Sequence, residues 1–456
     1  MSTAVKDMTT GRPLKLILGM ALPLMLGNVF QQLYNIADAS IVGRGIGVDA
    51  FAAVGVCTWF GYLFQCIVQG LAEGFAIPAA QSFGAKNMPA LRKYVANSAV
   101  LTIILGVGTA LAALILIRPV LTLMRTPEDI FEMAATYLTI TALGLPVVMF
   151  YNYLAGTLRA LGNSKSPLNA MLLSSAVNIV LDLILVIGLG FGIACAAATT
   201  VAAQICSCIY CIICLKKVDT LHMERGDFRL AKERCKELLR IGLPMSMQNA
   251  AIALGGMVVQ GVINPLGVTL IAGYTAAMKL MGIIEMAGYS YGYAMTTFNG
   301  QNLGAKNTDR IRSGIRTGLI VGLVTSLIVA AFILLFGRLI LTAFIEPSAE
   351  NAAEVLDLGC EFLRLMSFFF PVLYLIHILR PAVQGLGNTA IPLASCAAEL
   401  VLRIASAVLL TPIIGYSGVF WTEILAWAAA DVVLIPGCIV VFRNTVRRLE
   451  SEGKNE

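Results

Sequence analysis

The chain has 456 residues, 58% of them hydrophobic and only 13% charged. A water-soluble protein of this length carries about twice that charge to cover its surface, so the composition excludes an ordinary soluble enzyme or binding module. The net charge of +6 sits on short polar segments between long apolar ones, which excludes a nucleic-acid surface and suits loops facing anionic headgroups.

Apolar stretches of about 20 residues or more recur throughout, long enough to cross a bilayer as helices. In chain order they predict spans over 14–42, 51–80, 95–117, 131–156, 168–188, 192–215, 238–263, 269–299, 315–336, 353–379, 392–413 and 418–442. The fold class is therefore all-α integral membrane with twelve transmembrane helices. Counted outward from a cytoplasmic N-terminus, 25 of the 32 Lys and Arg fall on inner segments, Arg380 among them, and four (Arg44, Arg118, Arg125, Arg338) on outer loops. That asymmetry predicts a multi-pass protein of the cytoplasmic membrane with both termini inside. The first apolar segment is too long for a cleavable signal, and Pro23 and Asn28 interrupt it.

The first span carries QQLYNIADASIVGR, in which Asn28, Gln31, Asn35 and Asp38 share one helical face. An ionisable group at the depth of Asp38 is costly unless paired or neutral, which makes it a functional candidate. Glu73 in the second span is a candidate for a cavity wall. The fifth span places Asn178 one turn before Asp182, on a face shared with Ser174 and Ser175, and Thr199 and Thr200 follow on the sixth. Carboxylates, an amide and a hydroxyl can cage a small hard cation with oxygen, or share a proton. Cys206, Cys208, Cys211 and Cys214 lie on that same apolar sixth span and read as packed thiols rather than a metal site.

Residues 216–237 are polar and basic and form a cytoplasmic linker between an N-terminal lobe, 1–215, and a C-terminal lobe, 238–445, with a tail over 446–456. The eighth span carries Lys279 and Glu285, together with Gly288 and Gly292. Gly314, Gly318 and Gly322 follow at helical spacing in the ninth, where helix contact is the simplest role. The tenth carries His377, the eleventh Glu399 and Arg403 in the favourable order for a buried pair, and the twelfth Glu423 and Asp431. Glu285 and His377 join Gln31, Asn35 and Glu73 as candidates to line a substrate cavity.

The two lobes repeat one another. AQSFGAKN over 80–87 returns as GQNLGAKN over 300–307, LPLMLGN at Leu22 as LPMSMQN at Leu243, and LPVVMFYNYLAG at Leu145 as FPVLYLIHILRP at Phe370. RALGNSKSPL at Arg159 is answered by the GLGN at Gly385. An even number of helices per copy makes the repeats parallel, two pseudo-symmetric six-helix lobes. Pro23 pairs with Pro244 and Pro146 with Pro371, each removing a helical hydrogen bond. In this register Asp38 corresponds to Val259, Asn178 to Arg403 and Asp182 to Ala407, so the acids belong to the N-terminal lobe alone.

Twelve helices as six plus six, NIADASIVGR in the first, the doubled GAKN, and LGN-x-x-x-PL after the fourth and tenth resemble the multidrug and toxic compound extrusion (MATE) family over about 12–445. The resemblance implies an antiporter that expels organic cations against inward Na+ or H+, with no further cofactor. It implies a cation site at Asp38, Asn178, Asp182 and Thr200, metal-binding if the ion is Na+, and bending of the first helix at Pro23. It implies a small-molecule substrate in lipid surroundings; the charge distribution adds no nucleic-acid partner, and the expected state is a monomer. It does not extend to the acids that some relatives carry on the seventh and tenth helices, where this chain has Gln248, Asn249 and His377. A flippase for lipid-linked saccharides shares the broad fold, but the intramembrane acids here outnumber the bases. An intramembrane hydrolase is the remote alternative: GYSG at Gly415 resembles a serine-protease motif, but no histidine follows His377.

Overall fold

A computed structural model describes the backbone of residues 5–345 and 351–453, with side chains throughout except 33–40, 42–45, 48, 51, 220 and 453. Among the described residues there are helices and turns and no strand. Twelve helices are long and apolar enough to cross a membrane. They are α1 (Pro13–Gly45), α2 (Val48–Gly84), α3 (Met88–Leu123), α4 (Glu128–Ala160), α5 (Lys165–Asp182) and α6 (Ile193–Lys216). The second six are α7 (Lys232–Ile263), α8 (Val268–Gly304), α9 (Thr308–Leu341), α10 (Ala352–Gly385), α11 (Ala390–Ile414) and α12 (Tyr416–Gly453).

The repeated motifs are helix stops and starts. After α2, the N–H of Asn87 donates to the carbonyl of Ser82 and that of Lys86 to Phe83, while Lys86 takes a left-handed φ of 55°. This is the paired closing pattern that satisfies the last carbonyls of a helix. The Asn87 side chain then accepts from the N–H of Ala90 at 3.1 Å and starts α3. The second GAKN does the same: Lys306 has φ 54°, Asn307 donates to Asn302, and its side chain accepts from the N–H of Arg310 at 3.1 Å. The two LGN turns use Gly162 (φ 76°) and Gly387 (φ 80°), with Asn163 and Asn388 accepting from the N–H of Ser166 and Ile391. A side chain at Gly162 would meet the carbonyl oxygen of Lys6 at 2.2 Å, because the N-terminal segment is hydrogen-bonded there through Lys6 to Leu161. The doubled sequence thus encodes doubled turns.

The chain divides into two compact units. One comprises Met1–Met8 and Leu22–Ala250, the other Thr9–Ala21 and Ala251–Glu456. The division falls inside α1, beside Pro23, and inside α7, six residues after Pro244, rather than at the linker.

Within the first unit the linker is bound down. Its short turns are Asp219–Leu221 and Arg225–Phe228, and the second is held by Asn97, fully buried on α3. The amide of Asn97 donates to the carbonyls of Asp227 and Arg229 at 3.0 and 3.2 Å and accepts from the N–H of Ala231 at 3.0 Å. The first half of α7 then packs on α2 so closely that a Cβ at Gly74 would meet the Cα of Gly242 at 2.5 Å. Small residues permit that backbone approach where lipid supplies no competing hydrophobic drive. Asn97→Ala is expected to cost about 1–3 kcal/mol, the range for stranding a buried polar partner. The measurement is the melting temperature in detergent, and an unchanged value would show that other contacts hold the linker.

The second unit bears out the packing role of its glycines. Gly314 faces the ring of Phe298, Gly318 the sulfur of Met295 and Gly322 the side chain of Ile378. Gly288 faces His377 and Gly292 faces Pro381, which closes α8 on α10. In the first unit, Cys208, Cys211 and Cys214 pack in the apolar core, and the Cys208 thiol approaches the carbonyl of Val147 at 3.6 Å.

Candidate functional site

Asn178 and Asp182 lie one turn apart on α5, each 1% exposed. The Thr199 hydroxyl on α6, also buried, is hydrogen-bonded to the Asp182 carboxylate. The same hydroxyl lies 2.8 Å from the carbonyl of Ala196, one turn earlier on its own helix. With a single hydrogen, it donates to only one of these acceptors at a time. Both amide atoms of Asn178 are buried without a hydrogen-bond partner among the described residues. An orphaned amide costs free energy, and its oxygen beside a carboxylate and a hydroxyl makes a donor set suited to a small cation.

The helix changes winding at this point. Immediately after Asp182, Leu183–Gly188 form a π-helical segment, an irregularity frequent at functional sites. The corresponding α11 runs as one regular helix from Ala390 to Ile414.

Thr200, the residue implied by the resemblance, points its hydroxyl to the carbonyl of Ala196 at 3.1 Å; Thr199 is the threonine bonded to Asp182. The side chains of Asp38 and Asn35 lie outside the described residues. Gln31 is half-buried on α1. Glu73, also half-buried, accepts a hydrogen bond from Gln69 at 2.9 Å. Neither belongs to the Asn178–Asp182 cluster by any contact described.

The second unit holds a different assembly. Glu399 and Arg403 form the expected pair at 3.1 Å, but the pair is part of a longer ladder. Arg380 of α10 binds Glu399 at 2.8 Å, and Arg403 also binds Glu423 of α12 at 2.9 Å. All four side chains are about nine-tenths buried. Reading Arg380 as a loop residue is thus corrected: α10 continues to Gly385, and the guanidinium turns inward to a carboxylate instead of outward to water. Glu285, half-buried on α8, stands among the charges of Glu423, Arg403 and Glu399. The His377 ring packs edge-on against Tyr289, 4.8 Å between centroids.

The ladder stands where internal symmetry puts the counterpart of the N-terminal cluster. Arg403 is at the register of Asn178. Val259 and Ala407, at the registers of Asp38 and Asp182, are buried and apolar. Aligning the starts of α6 and α12, each just after a glycine (Gly192, Gly415), puts Thr422 opposite Thr199 and Glu423 opposite Thr200. Thr422 is fully buried and donates to the carbonyl of Gly418 on its own helix. The C-terminal unit carries a covalently attached cation at this place, between two carboxylates.

Known proteins share this framework. The MatE family profile matches residues 23–184 and 244–409, one match in each repeat. The chain is 31% identical over 383 residues to "Probable multidrug resistance protein YpnP" of Bacillus subtilis, covering 84% of both chains. It is 26% identical over 385 residues to "Probable multidrug resistance protein NorM" of Thermotoga maritima, covering 83% of this chain and 81% of that one. A solved structure described as the outward-facing conformation of a multidrug resistance MATE family transporter has the same fold. Its TM-score is 0.89 at 24% identity, over 98% of this chain and all of that one. Profile matches in both repeats, the YpnP similarity and the twelve apolar helices agree: the chain belongs to the MatE family of multidrug efflux transporters, multi-pass membrane proteins and not enzymes.

Proposed function

We propose that the protein is a secondary active exporter that exchanges an organic cation for Na+ or H+ by alternating access, with both termini cytoplasmic and as a monomer. The observation that carries the reading is the buried Asn178–Asp182–Thr199 cluster, present in one repeat and replaced by the Arg403 ladder in the other. A coupling ion has to be released each cycle, and only the repeat without its own cation can take one up. When the ion arrives at Asp182, the Thr199 hydroxyl turns its hydrogen to the carbonyl of Ala196 and offers a lone pair to the ion. The family resemblance adds Asp38 as a further oxygen ligand and Pro23 as the point where the first helix bends. Coupling then requires ion and drug to favour different states of the transporter, by a few kcal/mol.

The test is uptake of a fluorescent organic cation into everted vesicles, with a Na+ gradient and a pH gradient imposed separately. Transport driven by one gradient names the ion; transport under neither would remove the antiport reading. Thr199→Val is expected to slow gradient-driven transport by about tenfold or more, the scale for groups that orient a bound ion. Thr200→Val, which loses only a bond within its own helix, is expected to stay within about twofold of wild type. The reverse order would place the ion against Thr200.

A further inference from the structure

The second unit contains a buried acid that the ladder does not use. Asp431 on α12 is 5% exposed, and both its carboxylate oxygens are buried without a hydrogen-bond partner among the described residues. Its surroundings are fixed. The Ser395 hydroxyl donates to the carbonyl of Ala430 at 3.1 Å, and Arg380 donates to that same hydroxyl at 3.1 Å. The charged groups that face Asp431 from the helices packed on α12 are Arg380 of α10 and Glu399 of α11. Glu423 stands two turns before Asp431 on α12, paired there with Arg403 of α11, and Glu285 of α8 is near that pair. His377 lies one turn before Arg380 on α10, its ring held by Tyr289 and Tyr374.

The charges of the ladder already balance. Arg380 and Arg403 are matched by Glu399 and Glu423 through three ion pairs. An ionised Asp431 adds a negative charge with no donor on either oxygen, the costliest state for a buried carboxylate. A metal ion does not relieve it. A hard cation needs several oxygen ligands, and the Arg380 guanidinium near Asp431 repels one. A proton needs only the one carboxylate. We infer that Asp431 is a proton-binding site of the C-terminal unit, gaining and losing one proton beside the Arg380–Glu399 pair, separately from the cation cluster of α5 and α6. Loss of the proton places a negative charge next to Arg380, which then has two carboxylates to choose between, so the inner end of the ladder changes partners with protonation. The inference does not rest on the antiport reading, since proton binding is measurable without transport.

The experiment is infrared difference spectroscopy of the purified full chain, titrated across the neutral range and read at the carbonyl stretch of a protonated carboxylic acid. Wild type and Asp182→Asn are expected to show a titrating band, and Asp431→Asn, the same shape without the proton, to lose it. Glu285→Gln controls for the other nearby acid. A band that survives in Asp431→Asn, or one lost instead in Asp182→Asn or Glu285→Gln, would overturn the assignment. Asp431→Asn is already the neutral form, so its elution on size exclusion is expected to match wild type. Failure of the antiport reading would show differently, as absent gradient-driven transport with this band intact.

Discussion

Asp182→Asn is expected to abolish gradient-driven efflux and leave the protein folded. Asparagine fills the same buried volume, and its side-chain oxygen can still accept from the Thr199 hydroxyl, so the packing of α5 on α6 is retained. What disappears is the formal charge, the one feature a proton or Na+ requires. Groups that merely orient the ligands of a bound ion are worth about 10–100-fold in affinity, so losing an oxygen charge that touches the ion exceeds the lower end of that range. The readout is the initial rate of cation uptake in everted vesicles under the driving gradient, beside the melting temperature of the purified variant. A rate at wild-type level would end the assignment of the cluster as the coupling site. A collapsed melting temperature would instead make Asp182 a structural residue.

Arg403→Leu is expected to be the most destabilising single change in the second unit. The guanidinium binds Glu399 and Glu423 at 3.1 and 2.9 Å, and all three side chains are nearly out of contact with solvent. Removing one partner of a buried ion pair costs about 3–5 kcal/mol, because the remaining charge stays buried without compensation. Replacing the pair together, as Arg403→Met with Glu423→Leu, leaves the balanced Arg380–Glu399 bond and is expected to recover most of the loss. Thermal melts of wild type, Arg403→Met, Glu423→Leu and the double variant in one detergent decide the matter. Additive losses, with the double variant as unstable as the sum of the singles, would mean that the ladder is not a coupled unit. The Arg380 end carries a separate expectation, since Ser395 also accepts from it.

The sequence is most informative where the physical constraint is strongest. Backbone groups cannot face lipid unpaired, so each span must be a helix with an apolar exterior, and all twelve are present. The observed helices run past the predicted ends, as α9 does at Thr308–Leu341 against 315–336, because a helix does not stop where its apolar stretch does. The Glu399–Arg403 pair was legible from spacing, since residues four apart share a face. Its extension was not. Arg380 looked like a loop residue because a charge at the edge of an apolar window reads as solvated, and only tertiary packing brings Ser395 and Glu399 to it. Thr199 and Thr200 differ by one residue and therefore by about 100° around the helix, a distinction that the sequence leaves open until the neighbouring helix is placed. The π-helical segment after Asp182 has no local signal in LILVIG. The attachment of the linker to Asn97 was equally invisible, for an asparagine in an apolar helix announces burial without naming its partners.

The GAKN turns also bear on how the chain enters the bilayer. Each joins a moderately apolar helix, α2 or α8, to a following one, α3 or α9, that is among the most apolar of the twelve. The intervening turn is only three residues long and is closed at both ends by its own hydrogen bonds. During synthesis a marginal span emerges first and a strongly partitioning span follows on a connection too short to let them separate. The second helix can therefore carry the first in as a hairpin, the lysine-bearing turn being held back from crossing by its own charge. Insertion of the less apolar helix of each pair becomes a property of its neighbour, which frees α2 and α8 to hold Glu73 and Glu285 within long helices.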